Sequence, residues 1–301
     1  MLASTTASTT ADIAKASISA VGGITANSKV YDGNATASLN TGSASFAGMV
    51  GGDNLVVTGA SGSFADKNAA SGKMVSVTGI ALGGTDAGNY TLLDSTASTM
   101  ADIAKASIAN VASITANNKV YDGNALASLN TGSAAFTGMV GGDSLTVSNA
   151  TGSFGDKNAA SGKTVSVTGI ALGGTDAGNY TLASTTASTT ADIAKASISA
   201  VAGITAGNKV YDGNALASLN TGSAVFTGMV GGDSLTVATA TGSFTDKNAA
   251  NGKTVNVSGI ALGGTDAGNY TLVNSTASTT CLLYTSPSPR DATLSRMPSS
   301  A

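Results

Sequence analysis

Apolar and polar positions alternate along this chain over short stretches, and no segment sustains the 3.6-residue apolar period of a helix. The clearest stretch is Lys163-Thr164-Val165-Ser166-Val167-Thr168, where Val165 and Val167 fall on one face and predict a strand with one buried side. Leu145-Thr146-Val147 alternates in the same way after a turn at Val140-Gly141-Gly142-Asp143. Ala104, Ala106 and Ile108 alternate with Ile103, Lys105 and Ser107, which predicts one more strand. Lys119-Val120-Tyr121 runs into Asp122-Gly123, a dipeptide typical of hairpin turns. Ser153-Phe154 leads into the turn-like Asp156-Lys157-Asn158, Gly173-Gly174 opens another turn, and Tyr180-Thr181-Leu182 begins a last strand. Turn signals recurring about every 8–12 residues predict a sandwich or barrel.

The pattern itself repeats. Val30-Tyr31-Asp32-Gly33-Asn34 returns at Val120–Asn124 and Val210–Asn214, 90 residues on each time. Gly83-Gly84-Thr85-Asp86-Ala87-Gly88-Asn89-Tyr90 returns at 173–180 and 263–270. A 90-residue period exceeds the ~20–50 residues of solenoid units and suits one small domain of ~100 residues. The expected fold is therefore all-β, a tandem array of small immunoglobulin-like β-sandwich domains arranged as beads on a string, each with its own core. The expected divisions are a remnant of a preceding repeat at 1–17, then repeats at 18–107, 108–197 and 198–280, and a tail at 281–301. If Ala-Asp-Ile-Ala-Lys-Ala closes each domain, the third copy lacks its closing strand and exposes an edge. Asp176-Ala177-Gly178-Asn179-Tyr180-Thr181-Leu182 resembles the tyrosine-corner stretch of immunoglobulin-like domains, with Leu182 where antibodies carry Cys. An ordinary Gly-Asn turn before a strand Tyr accounts for it equally well.

Composition narrows the chemistry. The chain has no His, Trp or Glu, its 17 acidic residues are all Asp, and 39 residues are Gly. Charged residues make up 10%, against roughly 25% in an ordinary globular chain, which leaves poor material for helices and adequate material for strands and turns. The net charge of −3 is evenly spread without a Lys/Arg run, and aromatics are 4%, which disfavours nucleic acid as a partner. No apolar run approaches the ~20 residues of a membrane helix.

The ends read differently from the middle. Met1 stands where a repeat would place Thr181, so the chain opens inside a repeat and the lack of a leader carries no information on location. After Thr280 the repeat should continue Ala-Asp-Ile-Ala-Lys. Instead Cys281–Ala301 holds the only Cys, all three Pro and both Arg. This tail resembles the conceptual translation of a sequencing-library adapter and is set aside from the fold. Cys281 then says nothing of redox compartment.

Candidate chemistry rests on Asp, Lys and Tyr. Each repeat carries Asp at the equivalents of Asp12, Asp32, Asp53, Asp66 and Asp86, mostly beside Gly or Asn, where Asp stabilises turns. A calcium clip built from Asp and Asn oxygens is the rival reading, without EF-hand or nonapeptide spacing to support it. Otherwise no cofactor, metal or catalytic residue is expected, and the chain is not expected to be an enzyme. Asp66-Lys67-Asn68 suggests an intramolecular isopeptide bond, with Lys73 or Lys29 as alternative donors, against the blander reading of a solvated turn. Gly83-Gly84-Thr85 lacks the Lys of a phosphate loop. The Thr-rich Ser4–Thr10 reads as an extended linker feeding a strand.

The motif positions are Tyr31, Asp32, Gly33, Asp86, Gly88 and Tyr90 in the first repeat, with Tyr121, Asp122, Gly123, Asp176, Gly178 and Tyr180 in the second. The third repeat has Tyr211, Asp212, Gly213, Asp266, Gly268 and Tyr270. With Gly-Gly-Asp-Xaa-Leu and Gly-Xaa-Phe-Xaa-Asp-Lys-Asn-Ala between them, residues 1–280 resemble the YDG-type repeat of filamentous-haemagglutinin-like exoproteins of Gram-negative bacteria. That resemblance implies an extracellular or outer-surface location, export through a two-partner-type pore, and a part in adhesion. The family often has Pro where this chain has Lys15, Lys105 and Lys195, which bears on joint stiffness. Two functions follow as expectations. One is a structural stalk whose partners are neighbouring repeats of the same chain. The other is a multivalent module that binds a host glycan or surface protein weakly at each repeat.

Overall fold

A computed structural model describes residues 6–281 of the chain. Met1–Thr5 and the tail from residue 282 lie outside the described residues, and with them most of the adapter-like segment. Regular structure among the described residues is strand, broken only by three single-turn 3₁₀ segments, the first at Ala87–Asn89.

The first copy shows the arrangement. Its strands are β1 (Ala16–Ile18), β2 (Ala20–Gly22), β3 (Thr25–Ala26), β4 (Lys29–Val30), β5 (Thr36–Ala37) and β6 (Leu39–Asn40). They continue with β7 (Ser45–Ala47), β8 (Val56–Phe64), β9 (Ala70–Gly83), β10 (Tyr90–Leu92) and β11 (Ala97–Ala104). A five-stranded sheet runs β4-β11-β9-β8-β5. It is antiparallel except where β4 lies parallel to β11, Lys29 opposite Ile103. A ribbon crosses over it: β1 pairs in parallel with β10, while β2 pairs with β7 and β3 with β6 in antiparallel. Ile18, Val21 and Ile24 of the ribbon pack with Val77, Ile80, Leu55 and Tyr90 in one buried cluster.

β9 explains how few large side chains build this interior. Val75 and Val77 alternate inward as a strand requires. At Gly79 the phase slips by one residue, so that Ile80 is the next to turn inward. Gly79 sits at φ +66°, and the ladder to β8 shifts register there, pairing Thr78 with Ser61 but Ala81 with Gly59. This is a β-bulge with glycine supplying the left-handed residue. Gly169 and Gly259 repeat it.

Two sequence expectations are corrected by the pairing. Asp32-Gly33 and Asp122-Gly123 do not join hairpin strands, since β4 and β5 are the opposite edges of one sheet. The Tyr-Asp-Gly-Asn segment carries the chain across the end of that sheet, four strand spacings or about 19 Å, within reach of its length. Nor do Ala104, Ala106 and Ile108 form one alternating strand. Ala101 and Ile103 are buried, then Ala106 and Ile108, because the strand breaks at Lys105 as the chain leaves β11 for the strand Ala106–Ile108.

The chain divides into two compact units that ignore the 90-residue period. The first ends its leading stretch at Ile114 and adds Thr131–Ala150 and Thr168–Ala187. The second takes Thr115–Asn130, Thr151–Val167 and everything from Ser188. The second copy thus contributes to both. Within the second unit, Tyr121, Phe154, Val165 and Ile193 of the second copy share one buried cluster with Ile198, Val201, Phe226, Val257 and Tyr270 of the third. The interior is continuous across the joint, in place of the separate core expected for each bead. The cause is local: Ala187–Ala194 and Ala196–Ile198 are separated only by Lys195, so no linker intervenes.

The third copy is shorter at its end. Its sheet has four strands, Leu216–Ala217, Thr236–Phe244, Thr254–Gly263 and Ala277–Thr280. Lys209 and Val210, the counterparts of β4, form no strand.

Candidate functional site

The most organised polar cluster in each unit lies at a joint between copies. In the first unit it forms around Asp143, whose side chain is only 2% exposed. The turn Val140–Asp143 is closed by the Asp143 N–H donating to the Val140 carbonyl at 3.2 Å, which points the carboxylate inward. Tyr180, at the start of its strand, donates its hydroxyl to Asp143 Oδ2 at 2.6 Å and accepts from the Val140 N–H at 2.9 Å. From the first copy, Tyr31 donates to Asp143 Oδ1 at 3.1 Å and Lys67 Nζ donates to the same oxygen at 3.2 Å. Lys67 Nζ also lies 3.7 Å from Asp176 Oδ1 and 5.9 Å from the centre of the Tyr31 ring. The Tyr31 and Tyr180 rings meet edge to face, centroids 5.5 Å apart at 75°, a favoured aromatic geometry. Alongside, buried Asn179 accepts from the Ala69 N–H at 2.9 Å and donates to Asn68 Oδ1 at 3.3 Å.

The second unit repeats the cluster at its own joint. Tyr270 and Tyr121 donate to Asp233 Oδ2 at 2.6 and 2.8 Å, and Lys157 to Asp233 Oδ1 at 3.1 Å. Asn269 accepts from the Ala159 N–H at 2.9 Å, and the two rings again lie 5.5 Å apart at 75°.

The electrostatics follow from the contacts. Burial pushes the Asp143 carboxyl upward, but the bonds from Tyr180, Tyr31 and Lys67 outweigh it and hold the group below the usual carboxylate range. Burial, then the bond to Asp143, pushes the Tyr180 phenol up to about 12. The Tyr31 hydroxyl and the Asp143 carboxylate hold Lys67 above its ordinary value. The cluster therefore keeps one fixed ionisation state across neutral pH, with none of these groups poised to exchange protons there. What it does is latch one copy to the next.

The YDG triplet now has a physical reading. Tyr31 and Tyr121 enter the latch. Asp32 accepts from Lys29 Nζ at 2.7 Å and from the Asn34 N–H at 3.1 Å, shaping the segment that crosses the sheet end. Asp122 does the same with Lys119 and Asn124, and Asp212 with Lys209 and Asn214. Gly33 has φ +80° and faces the next copy so closely that a Cβ would stand 2.9 Å from Val140 Cγ1. Gly123 faces Val230 at the same distance, while Gly213, at φ +81°, faces open space.

The second motif divides less evenly. Tyr90 repeats the hydroxyl pattern, donating to Asp53 and accepting from the Val50 N–H. Asp86, Asp176 and Asp266 accept from the N–H of Asn54, Ser144 and Ser234 and so brace the turn that carries the buried Asp. Gly88, Gly178 and Gly268 have room for a Cβ, and nothing in the structure requires glycine there. Tyr211 is the exception among the tyrosines, 60% exposed where Tyr31 and Tyr121 are 3% exposed.

Sequence reasoning missed the roles of Asp143 and Asp233, whose equivalent Asp53 it read only as a turn residue, and those of Asn179 and Asn269. The one available signal was Gly-Gly-Asp preceding an apolar strand, and it does not distinguish a solvated turn from a buried acceptor. Tyr180 does not make a tyrosine corner of the usual kind. Its hydroxyl reaches an amide 40 residues upstream rather than a few, and Leu182 is half-buried. For the isopeptide reading, Lys67 turns to the next copy, Lys73 pairs with Asp66 at 2.7 Å, and Lys29 lies 2.9 Å from Asn34 Oδ1. The acid beside it, Asp32, is held below its usual range by Lys29 and is half-exposed, so it has no proton to lend the amide. Among the described residues no group of three or more acidic or Cys side chains is placed to hold a metal ion, and no helix is long and apolar enough to cross a membrane.

Fold and latch together define an all-β tandem-repeat protein whose copies lock through paired tyrosines on a buried aspartate. The YDG domain matches residues 7–99, 105–188 and 194–280, and the chain belongs to that family. No curated protein matches it.

Proposed function

We propose that the chain is a spacer, the stalk region of a secreted bacterial surface adhesin of the filamentous-haemagglutinin-like kind, with a mechanical rather than catalytic task. The observation that carries this reading is the joint. Each one combines a buried apolar cluster, two stacked tyrosines, a shared carboxylate and a lysine, which is far more than a flexible linker needs. Near-identical copies leave no unique site and suit an element that sets length. The immunoglobulin-like reading of each copy belongs to the same proposal, supported by the ribbon that covers one face of the five-stranded sheet. An outer-surface location rests on the sequence resemblance.

Single-molecule stretching of the full chain tests it. The expected trace has repeated unfolding events whose contour increments match one copy, about 300 Å of extended chain less the folded length. Extension without discrete force peaks would reject the mechanical role.

A further inference from the structure

The leading segment and the trailing copy hold two halves of one strand pairing. Residues Ala7–Ala14 read Ala-Ser-Thr-Thr-Ala-Asp-Ile-Ala, the same sequence as Ala187–Ala194. Ala187–Ala194 is a sheet strand that completes the second copy. Ile193 is buried to 2%, Asp192 Oδ1 accepts from the Gly162 N–H at 2.7 Å, and the Asp192 N–H donates to Asn118 Oδ1 at 2.8 Å. The Ala194 carbonyl accepts from the Tyr121 N–H at 2.8 Å. Ala7–Ala14 carries every one of these groups and forms no strand; its Ile13 is 99% exposed.

The acceptor is the third copy. There the strand Ala277–Thr280 stops where its counterparts run four residues further. Its partner begins at Thr254 rather than at the equivalent of Ala160. Val210 and Tyr211 are exposed, and the N–H groups of Gly252 and Tyr211 have no partner among the described residues. A cavity of about 250 Å3 opens beside Asn208, Tyr211, Phe244, Lys253 and Cys281. In the second copy the counterparts Tyr121 and Phe154 are packed with Ala191 and Ile193.

We propose that Ala7–Ala14 of one chain inserts as the completing strand of the third copy of another, so that chains join head to tail. Ala7–Thr10 takes the place of Ala277–Thr280, an exchange of identical sequence, and Ala11–Ala14 supplies the pairing the acceptor lacks. Adding a strand to an open sheet edge is an established mode of recognition, with main-chain bonds giving affinity and the alternate side chains giving register. Insertion also brings Asp53 and Tyr90 of the donor to Tyr211 and Lys247 of the acceptor, the same residue types that form the two internal latches. The contact is heterologous, so it propagates rather than closing on a two-fold axis.

Sedimentation velocity on the full chain tests this, from about 1 μM to about 1 mM, the upper end being the effective concentration a short linker supplies. The expected result is dimers and higher species that grow with concentration. Ile13→Asp changes a side chain that touches nothing in the monomer, and it should weaken association at least tenfold. A synthetic peptide of residues 7–15 should cap the acceptor, block association and slow hydrogen exchange at Gly252–Val257. The same peptide with Asp for Ile should do neither. A chain that stays monomeric throughout overturns the proposal, and so does association that Ile13→Asp leaves unchanged. Loss of association without peptide protection of Gly252–Val257 overturns the assigned acceptor.

Discussion

The carboxylate of Asp233 accepts hydrogen bonds from Tyr121, Tyr270 and Lys157 while almost wholly out of water. Its removal costs more than any one of its donors, because each donor is then left without its acceptor. Tyr121→Phe keeps the ring contact with Tyr270 and loses one hydroxyl bond, an expected cost of about 1 kcal/mol. Asp233→Ala strands two buried phenols and a lysine, an expected cost of about 2–3 kcal/mol. Urea denaturation of the two variants should rank them in that order. The pH dependence has a definite sign. The Asp233 carboxyl titrates lower in the folded chain than unfolded, burial being outweighed by its bonds. Its contribution is therefore complete above the usual carboxylate range and lost on acidification below it. The Tyr270 phenol is raised to about 12, so its contribution is complete below about pH 10 and lost as pH climbs through 12. Asp233→Ala should flatten both flanks of the stability profile. Unchanged flanks would show that the latch titrates elsewhere.

Strand by strand, what the sequence could show was the face each side chain takes. Val165 and Val167, placed together by alternation, are both buried. What it could not show was where the alternation changes phase. The bulge at Gly169 and the break at Lys105 each move the buried side by one residue, and both depend on a partner strand far along the chain. The Asp122-Gly123 pair misled for the same reason: a positive-φ turn fixes a change of direction, and only the sheet decides which strands lie on either side. The end of the third copy is where strand-level stability differs most. Thr254–Gly263 is ten residues long against fourteen for Ala160–Gly173, and Tyr211 has lost the cover that Tyr121 keeps. In dilute solution the amides of Thr254–Val257 should exchange about tenfold or more faster than those of Thr164–Val167. Equal protection would mean that the shortened edge is held by contacts outside the described residues.

At the scale of the molecule, the 90-residue period was plain in the sequence and the boundaries of packing were not. A repeat marks where the sequence begins again, whereas a compact unit ends where buried contacts thin out. The second copy gives residues to both units because the strand that completes one copy runs straight into the next copy's ribbon. The same geometry placed the Tyr-Asp-Gly segment at a joint, which no spacing within one repeat could reveal, since its partner lies 112 residues away. Continuity of the interior has a measurable consequence. Ile198 is fully buried at the start of the third copy, in one cluster with Ile193, Tyr121 and Val165 of the second. Ile198→Ala should cost about 2–5 kcal/mol. If the interior is shared, lowered hydrogen-exchange protection spreads from Val255–Val257 of the third copy to Ala191–Ile193 of the second. Protection lost from the third copy alone would instead mean that each copy folds by itself and that the joint transmits nothing.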